Sequence, residues 1–440
     1  MSRSVWFAGV LISLAAASLG CGAKQEVGGA AEERVARPNI LIYLVDTLRP
    51  DRVGCYGYSR PTSPNLDAFA QEATLFENAV GQSSWTRASM ASVFTGVWPP
   101  THGTTGWKHK LPWEFETLTE KLGEAGYQTA AFVGNPQITA KYGFSQGFDQ
   151  YVKKIKKPSA EYNQLATEWL DGLTSDEPWF IYIHTMDPHA PYRPPEPFRA
   201  QFAPNDAQRP HWKPHWKWPL EVLPFYSDRY DGEVAHNDAG FGGLLQSLKE
   251  RGLYEEALVV FTSDHGEEFQ EHGKWRHGEN LHAQTLNVPL IIRFPGQSRG
   301  QRIEPPVQHI DLMPTLLDYL NLEIPAAVQG RSLIGSPEYQ GEIYSHLFLG
   351  GSPLYHSVVE GDWKLIRRVE RDGSMSYQLF NWVEDPEESH DLAPVQKKRV
   401  ASLTSLLEAK LLAEEEAVSA DEVPLTEELK KELEAIGYFQ

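Results

Sequence analysis

The sequence predicts an α/β protein: a large, mostly parallel β-sheet covered by helices, then a small antiparallel sheet with a helix. Three observations predict it. Asn39–Val45 (NILIYLV) is a nearly continuous apolar run rich in Ile and Leu, the pattern of a strand buried on both faces. Similar runs at Thr129–Val133, Trp179–His184, Leu258–Thr262 and Val288–Phe294 alternate with helical stretches. Those helices are Pro64 to about Ala73, Thr117–Ala125, Ala160–Leu173 and Arg229–Arg251. Strand and helix repeated in this way give a parallel sheet. From about Glu342 the pattern changes to short strands, Ser357–Glu360, Lys364–Arg368 and Tyr377–Asn381, separated by glycine-containing turns. A charged helix from about Val395 to Glu416 follows them.

Size and charge are compatible with this architecture. The chain has 440 residues, 41% of them hydrophobic, enough for one large core or for a main domain with a smaller one. Thirteen Trp, 18 Tyr and 19 Phe argue against disorder. The formal net charge of −19 excludes nonspecific nucleic-acid binding, which needs a basic surface. It does not exclude an anionic substrate, because a bound metal reverses the local field.

The start of the chain reads as an export signal. Arg3 precedes an apolar run from Val5 to Leu19 that is too short and too early for a spanning helix. The run ends in Ala17-Ser18-Leu19-Gly20-Cys21, which resembles a bacterial lipoprotein processing site, with Ser18 where Leu is usual. The expectation is a signal peptide over residues 1–21, with Cys21 lipidated, and a flexible tether over 22–37 rich in Gly, Ala and charge. A catalytic domain over 38–341 and a C-terminal subdomain with a helical tail over 342–440 complete the organisation. Such a protein would be periplasmic or at the cell surface, touching the membrane only through its anchor. Cys55, the other cysteine, reads as buried structure.

The reactive residues are expected at the carboxyl ends of the strands. Asp46 directly follows the first buried run, and Asp264-His265 directly follows Leu258–Thr262-Ser263. Gly266 comes next and allows close backbone approach. Two carboxylates and an imidazole delivered from strand ends suit Zn²⁺ or Mn²⁺. Ca²⁺ is the further candidate, and one or two ions would fit. A single Asp after a strand is more often a cap; two such positions, one beside a His, shift the reading to a metal.

Longer segments then become specific. PNILIYLVDTLRPD (38–51), GCYG (54–57), PTSPNLD (61–67), TRASMASVFTG (86–96) and PTHG (100–103) are similar to the opening of a sulfatase-family enzyme. DHGE (264–267), EHG (271–273), VPLIIR (288–293), DLMPTLLD (311–318), WKLI (363–366), YQLF (377–380) and DPE (385–387) continue the resemblance to about residue 395. It implies an alkaline-phosphatase-like sandwich and an ester hydrolase. Sulfatases of the family carry Cys-x-Pro-x-Arg, whose Cys or Ser becomes formylglycine. Counting back from Thr95-Gly96 puts Thr86, Ala88 and Met90 at those positions. Ser83 and Ser84 align only with an insertion. The family's second Asp falls on Thr47, its Gly-Lys-Trp-His lysine is lost at Gly134-Asn135, and a later lysine falls on His277.

Asp46, Thr86, Asp264 and His265 instead resemble the metal-and-nucleophile set of the superfamily's threonine enzymes, among them phosphodiesterases and phosphoethanolamine transferases. That resemblance implies Thr86 as a metal-bound nucleophile and helix N-cap, with His189 and His277 at the leaving oxygen. Asn135, Lys274 and Arg49 are expected substrate contacts. The leading expectation is therefore cleavage of phosphoric mono- or diesters through a covalent threonine intermediate. A sulfuric ester hydrolase without formylglycine and a phosphotransferase are the alternatives. The substrate would be a small-molecule, glycan or lipid ester. The segment His211–Trp218, with three Trp among Lys and His, reads either as a docked surface loop or as a substrate lid.

Overall fold

The structure, a computed structural model, describes residues 37–208, 219–335, 341–350, 353–414, 420–436 and 438. The signal peptide, the tether and His211–Trp218 lie outside the described residues. From Arg37 onward the chain forms one compact unit. No helix among the described residues is long and apolar enough to cross a membrane.

The unit is organised around β1 (Asn39–Val45). In chain order β2 is Thr74–Val80, β3 Gln128–Val133, β4 Gln150–Lys153, β5 Trp179–Thr185 and β6 Ala257–Ser263. A short hairpin, β7 (Glu268–Phe269) and β8 (Trp275–Arg276), precedes β9 (Asn287–Arg293), β10 (Gln301–Ile303) and β11 (Val307–Gln308). The main sheet runs β10-β2-β9-β6-β1-β5-β3-β4, with β11 also on β2. Only β9 runs against its neighbours. The doubly buried reading of NILIYLV holds, because Ile40, Ile42 and Leu44 enter one core while Leu41, Tyr43 and Val45 enter the other. Helices Thr86–Thr95, Leu118–Glu124 and Leu312–Tyr319 cover the first face. Helices Pro64–Ala70, Ser159–Asp171 and Leu223–Glu250 cover the second.

Strands β4, β10 and β11, the β7–β8 hairpin and the strand Ile343–Leu347 were not expected, and two further differences have clear physical reasons. Strand β2 was not foreseen, because Glu77 and Asn78 interrupt its apolar run; they lie at an irregularity where pairing with β9 shifts register between Phe76 and Ala79. The helix expected to begin at Arg229 begins at Leu223, with a proline in its first turn, a position where the missing N–H costs nothing.

The C-terminal sheet contains β12 (Ile343–Leu347), β13 (Leu354–Glu360), β14 (Trp363–Val369) and β15 (Met375–Asn381), antiparallel throughout. One face, with Ile343, Val359, Ile366 and Phe380, packs on Trp85, Leu281 and Leu286. The other, with Val358, Leu365 and Leu379, packs on Leu403 and Leu407 of helix Lys397–Ala413. The chain then returns to the main body. Lys110 N–H donates to the Asp421 carbonyl (3.1 Å) and Val423 N–H to the Lys108 carbonyl (2.7 Å). Helix Glu427–Ala435 buries Leu429 and Leu433 in the first core, joined by Ile436.

Gly266 has the close approach that its place in the sequence implied. A Cβ there would stand 2.1 Å from the Gln284 carbonyl oxygen, and the Gly266 N–H donates to Thr285 at 3.0 Å. Gly266→Ala is expected to lower stability by about 1–3 kcal/mol, the cost of overpacking against backbone. Urea unfolding checks this; an unchanged midpoint would refute the contact.

Candidate active site

The register of three strands sets the site. Val45 pairs with Thr185 of β5 and with Ser263 of β6, so Asp46 and Asp264 leave the sheet side by side at its carboxyl edge. His184 sits one residue earlier, at the end of β5. The ligand atoms of Asp46, His184 and Asp264 all lie within 4.8 Å of one another. All three residues are fully buried.

The hydrogen bonds of this group are unequally distributed. Asp46 Oδ2 accepts from His184 Nε2 (2.9 Å) and from Asn135 Nδ2, whereas Asp46 Oδ1 is buried with no partner. Asp264 Oδ1 accepts from the N–H of Thr47 (3.1 Å) and of His265 (2.9 Å), whereas Oδ2 makes no hydrogen bond. His265 Nδ1 lies 2.9 Å from the Gly266 carbonyl, which can only accept, so the proton is on Nδ1 and Nε2 is a bare lone pair. That lone pair lies 3.2 Å from Asp264 Oδ2 and 3.2 Å from Thr86 Oγ1. Two acceptors facing each other in a buried place repel unless a cation lies between them. The donor set therefore fits a divalent metal: two carboxylate oxygens, one imidazole nitrogen and the Thr86 hydroxyl.

Charge states point the same way. Burial pushes the Asp46 carboxyl up, but His189, His184 and His265 outweigh it and hold it well below the usual carboxylate range. Burial and then the Asp46 charge push Asp264 up. Opposite displacement of two adjacent carboxylates is what like charges sharing one buried place produce.

Thr86 is the first residue of helix Thr86–Thr95, not its N-cap as expected; the cap position is Trp85. Its hydroxyl is turned toward His265 and toward Asn135 Nδ2 (3.4 Å), leaving the helix amides to the backbone. The ladder of that helix begins with Ser89 N–H to the Trp85 carbonyl (3.0 Å). His189 and His277 line the opposite side, their rings 5.0 Å apart, and the His277 ring is 4.4 Å from His265. His277 Nδ1 donates to Glu267 (2.8 Å) and His189 Nδ1 to the Ala190 carbonyl (2.7 Å), so both present a bare Nε2. Burial lowers both imidazoles, His189 to about 4, and each is neutral at pH 7.

Sequence comparison decides the family. A sulfatase profile matches residues 38–322, and a profile of the C-terminal part of N-sulphoglucosamine sulphohydrolase matches residues 270–417. The chain belongs to the sulfatase family. It is accordingly a hydrolase of ester bonds. An arylsulfatase of Clostridium perfringens is 25% identical over 86% of this chain and 95% of its own length. Human N-sulphoglucosamine sulphohydrolase is 28% identical over 73% and 70%. A solved structure with bound D-glucosamine-2-N,6-O-disulfate superposes with TM-score 0.73 at 20% identity, over 86% of this chain and 98% of that one. The phosphonate monoester hydrolase of Agrobacterium radiobacter superposes with TM-score 0.70 at 20% identity, over 86% and 95%. Both share the alkaline-phosphatase-like fold. The two sequence relatives are named for sulfuric ester hydrolysis, whereas phosphoric esters led the sequence reading.

The remaining expected residues divide. Asn135 joins the group directly. Arg49 does not: its guanidinium is spent on Asp51 (2.7 and 2.8 Å), Glu271 (2.7 Å) and the Glu267 carbonyl (2.9 Å), inside the protein. Lys274 turns its half-exposed ammonium to Glu279 at 3.0 Å. Three participants went unrecognised. His184 was taken only as a strand end, although a His at the carboxyl end of a buried strand was a usable signal. Glu267 lay in the DHGE motif, but its grip on His277 depends on a turn that spacing does not reveal. Tyr438 is far away in sequence and gave no signal.

Asp46→Asn and Asp264→Asn are expected to weaken divalent-cation binding at least about tenfold, as loss of a charged ligand does. Calorimetric titration with Zn²⁺, Mn²⁺ and Ca²⁺ checks this and also identifies the ion. Wild-type affinity retained in both variants would remove the metal from this place.

Proposed function

We propose that the chain hydrolyses a sulfuric ester at a divalent-metal centre, with Thr86 as the attacking group. One observation carries the reading: Thr86 Oγ1 and the unpartnered Asp264 Oδ2 each lie 3.2 Å from the lone pair of His265, with Asp46 grouped beside Asp264, in a chain whose family match spans all of them. Asp46, Asp264, His265 and Thr86 would hold the cation, with Zn²⁺, Mn²⁺ and Ca²⁺ as candidates. Such an ion supplies Lewis acidity and lowers the pKa of a bound hydroxyl. The chain's own part follows from its geometry. Asn135 donates to both Asp46 and Thr86 and fixes the hydroxyl between them. Thr86 Oγ bonds to the ester sulfur, the bond from sulfur to the leaving oxygen breaks, the Thr86 proton is lost to solvent, and His277, protonated at Nε2 from solvent, gives that oxygen its proton. The Glu267 carboxylate on Nδ1 stabilises the imidazolium formed on the way. Water then attacks the sulfo-threonine, which releases sulfate and a proton and restores the hydroxyl.

The glycan substrates in the names of the relatives favour a sulfated sugar, within the wider class of small-molecule, glycan and lipid esters. A second reading, hydrolysis or transfer of phosphoric esters, rests on a specific observation. Thr86 stands where the family's convertible Cys or Ser would be, and His277 replaces a lysine. A plain hydroxyl forms a phosphoester that water readily cleaves, whereas formylglycine exists to avoid water attack at sulfur.

Rates on aryl sulfate, aryl phosphate and aryl phosphodiester, measured side by side with each metal, separate the two readings. Faster sulfate cleavage is expected; a phosphoester preferred more than tenfold would transfer the assignment to the second. Thr86→Ala is expected to lose at least about 10³-fold in kcat, as removal of a covalent nucleophile does, while keeping its metal. Full activity in that variant would end the nucleophile assignment. Export and lipidation belong to the same proposal. Cys21→Ala should move the protein from the membrane to the soluble fraction, and a membrane fraction equal to wild type would refute the anchor.

A further inference from the structure

Tyr438, from the end of the chain, stands inside the site. Its hydroxyl lies 2.5 Å from His277 Nε2 and 3.3 Å from His189 Nε2, the two nitrogens left bare by their Nδ1 bonds. Its ring is enclosed edge-on by Trp85 (centroids 5.2 Å apart) and Trp107 (5.4 Å). The His189 and His277 rings, each 5.7 Å away, close the box. The placement is built rather than incidental. Leu429, Leu433 and Ile436 anchor the preceding helix in the core, and Tyr438 N–H returns to the Leu433 carbonyl at 2.9 Å. Upstream, residues 421–423 are tied to the segment that carries Trp107. Burial, then the charges of Asp46, Glu267 and Asp264, keep the phenol protonated. It therefore has one proton to donate and two acceptors facing it.

The leaving oxygen of the proposed reaction needs that same His277 Nε2, and two hydroxyls cannot hold it at once. We propose that Tyr438 is the specificity-determining residue of the leaving-group side: its phenol is an intramolecular stand-in for the alcohol product. The subsite accordingly takes a six-membered ring bearing the ester oxygen, and Tyr438 competes for it. The ring packs against the Trp85–Trp107 pair, whose own rings touch at 4.3 Å, and the hydroxyl reaches the histidine pair. A substrate displaces Tyr438 and leaves the anchored helix in place. The leaving-group roles of His189 and His277 come from the proposed function, but occupancy of the box can be tested without turnover.

The test is binding of 4-nitrophenol by calorimetry to wild type, Tyr438→Ala, Tyr438→Phe and a chain ending at Ile436. Tyr438→Ala and the shortened chain, with the seat empty, should bind at least tenfold tighter than wild type. Tyr438→Phe, which keeps the ring, should bind no more than a few-fold tighter. KM for an aryl ester should fall at least tenfold in the two emptied forms, with KM for a methyl ester unchanged. Phenol binding equal to wild type in both emptied forms overturns the inference, and so does a loss of kcat without any gain in binding. Tighter phenol binding with no ester turned over would uphold this inference while refuting the proposed function.

Discussion

Two carboxylates that cannot comfortably share a buried space govern the architecture of this protein. Asp46 and Asp264 sit at the ends of adjacent parallel strands, with ligand atoms inside a 4.8 Å group. Two unit charges at that separation repel by roughly 3–4 kcal/mol even at an effective dielectric constant of 20. Parallel pairing leaves no freedom to relieve the strain, because Val45 opposite Ser263 fixes both backbones. The surroundings compensate only in part. His184 and Asn135 satisfy one oxygen of Asp46, and two amides satisfy one oxygen of Asp264. The two oxygens left bare define where positive charge has to enter.

Much of this was legible in the sequence, and the reason lies in how parallel sheets are written. A strand buried on both faces must be apolar along its length, so β1, β5 and β6 announce themselves, and the first polar residue after each marks the edge of the sheet. Asp46 and Asp264 are those residues. Their adjacency needed one further fact, that β1 lies between β5 and β6, and strand order is not encoded locally. The same limit hid the joint role of His184, which pairs across β1 with Leu44. Strand β2 escaped because the irregularity that bends it also places Glu77 and Asn78 within its run. Tyr438 was invisible for a different reason. It reaches His277 across 161 residues, through a helix whose docking depends on the assembled core.

Thr86 shows how one side chain can occupy a helix start without serving it. A threonine before an apolar helical run is most economically read as a cap. The helix here has its cap position at Trp85, whose ring packs on Trp107 and Tyr438. That displacement by one residue turns the hydroxyl away from the amides and toward His265. The neighbouring Arg87 is equally removed from the chemistry. It is fully buried, stacks 3.5 Å from the Tyr142 ring centre and donates to the carbonyls of Gln137 and Gly106. The helix start is thus held by packing around it, and Thr86 is released for the site.

In the proposed reaction an acidic protein has to bind an anionic ester, and most of the nearby cations are already engaged. Arg49 is neutralised by Asp51 and Glu271, Lys274 by Glu279, and Arg87 lies among carbonyls. The charge of Arg276 acts on both Glu267 and His277. His189 and His277 are held neutral by burial in the resting site. In the proposed reaction a divalent ion beside Asp46 and Asp264 and protonation of His277 against Glu267 would add positive charge to that of Arg276. The first acts on the attacking side and the second on the leaving side. In the proposed reaction, positive charge that appears on the leaving side only as the bond breaks would stabilise the transition state more than the bound ester, which is the condition for catalysis.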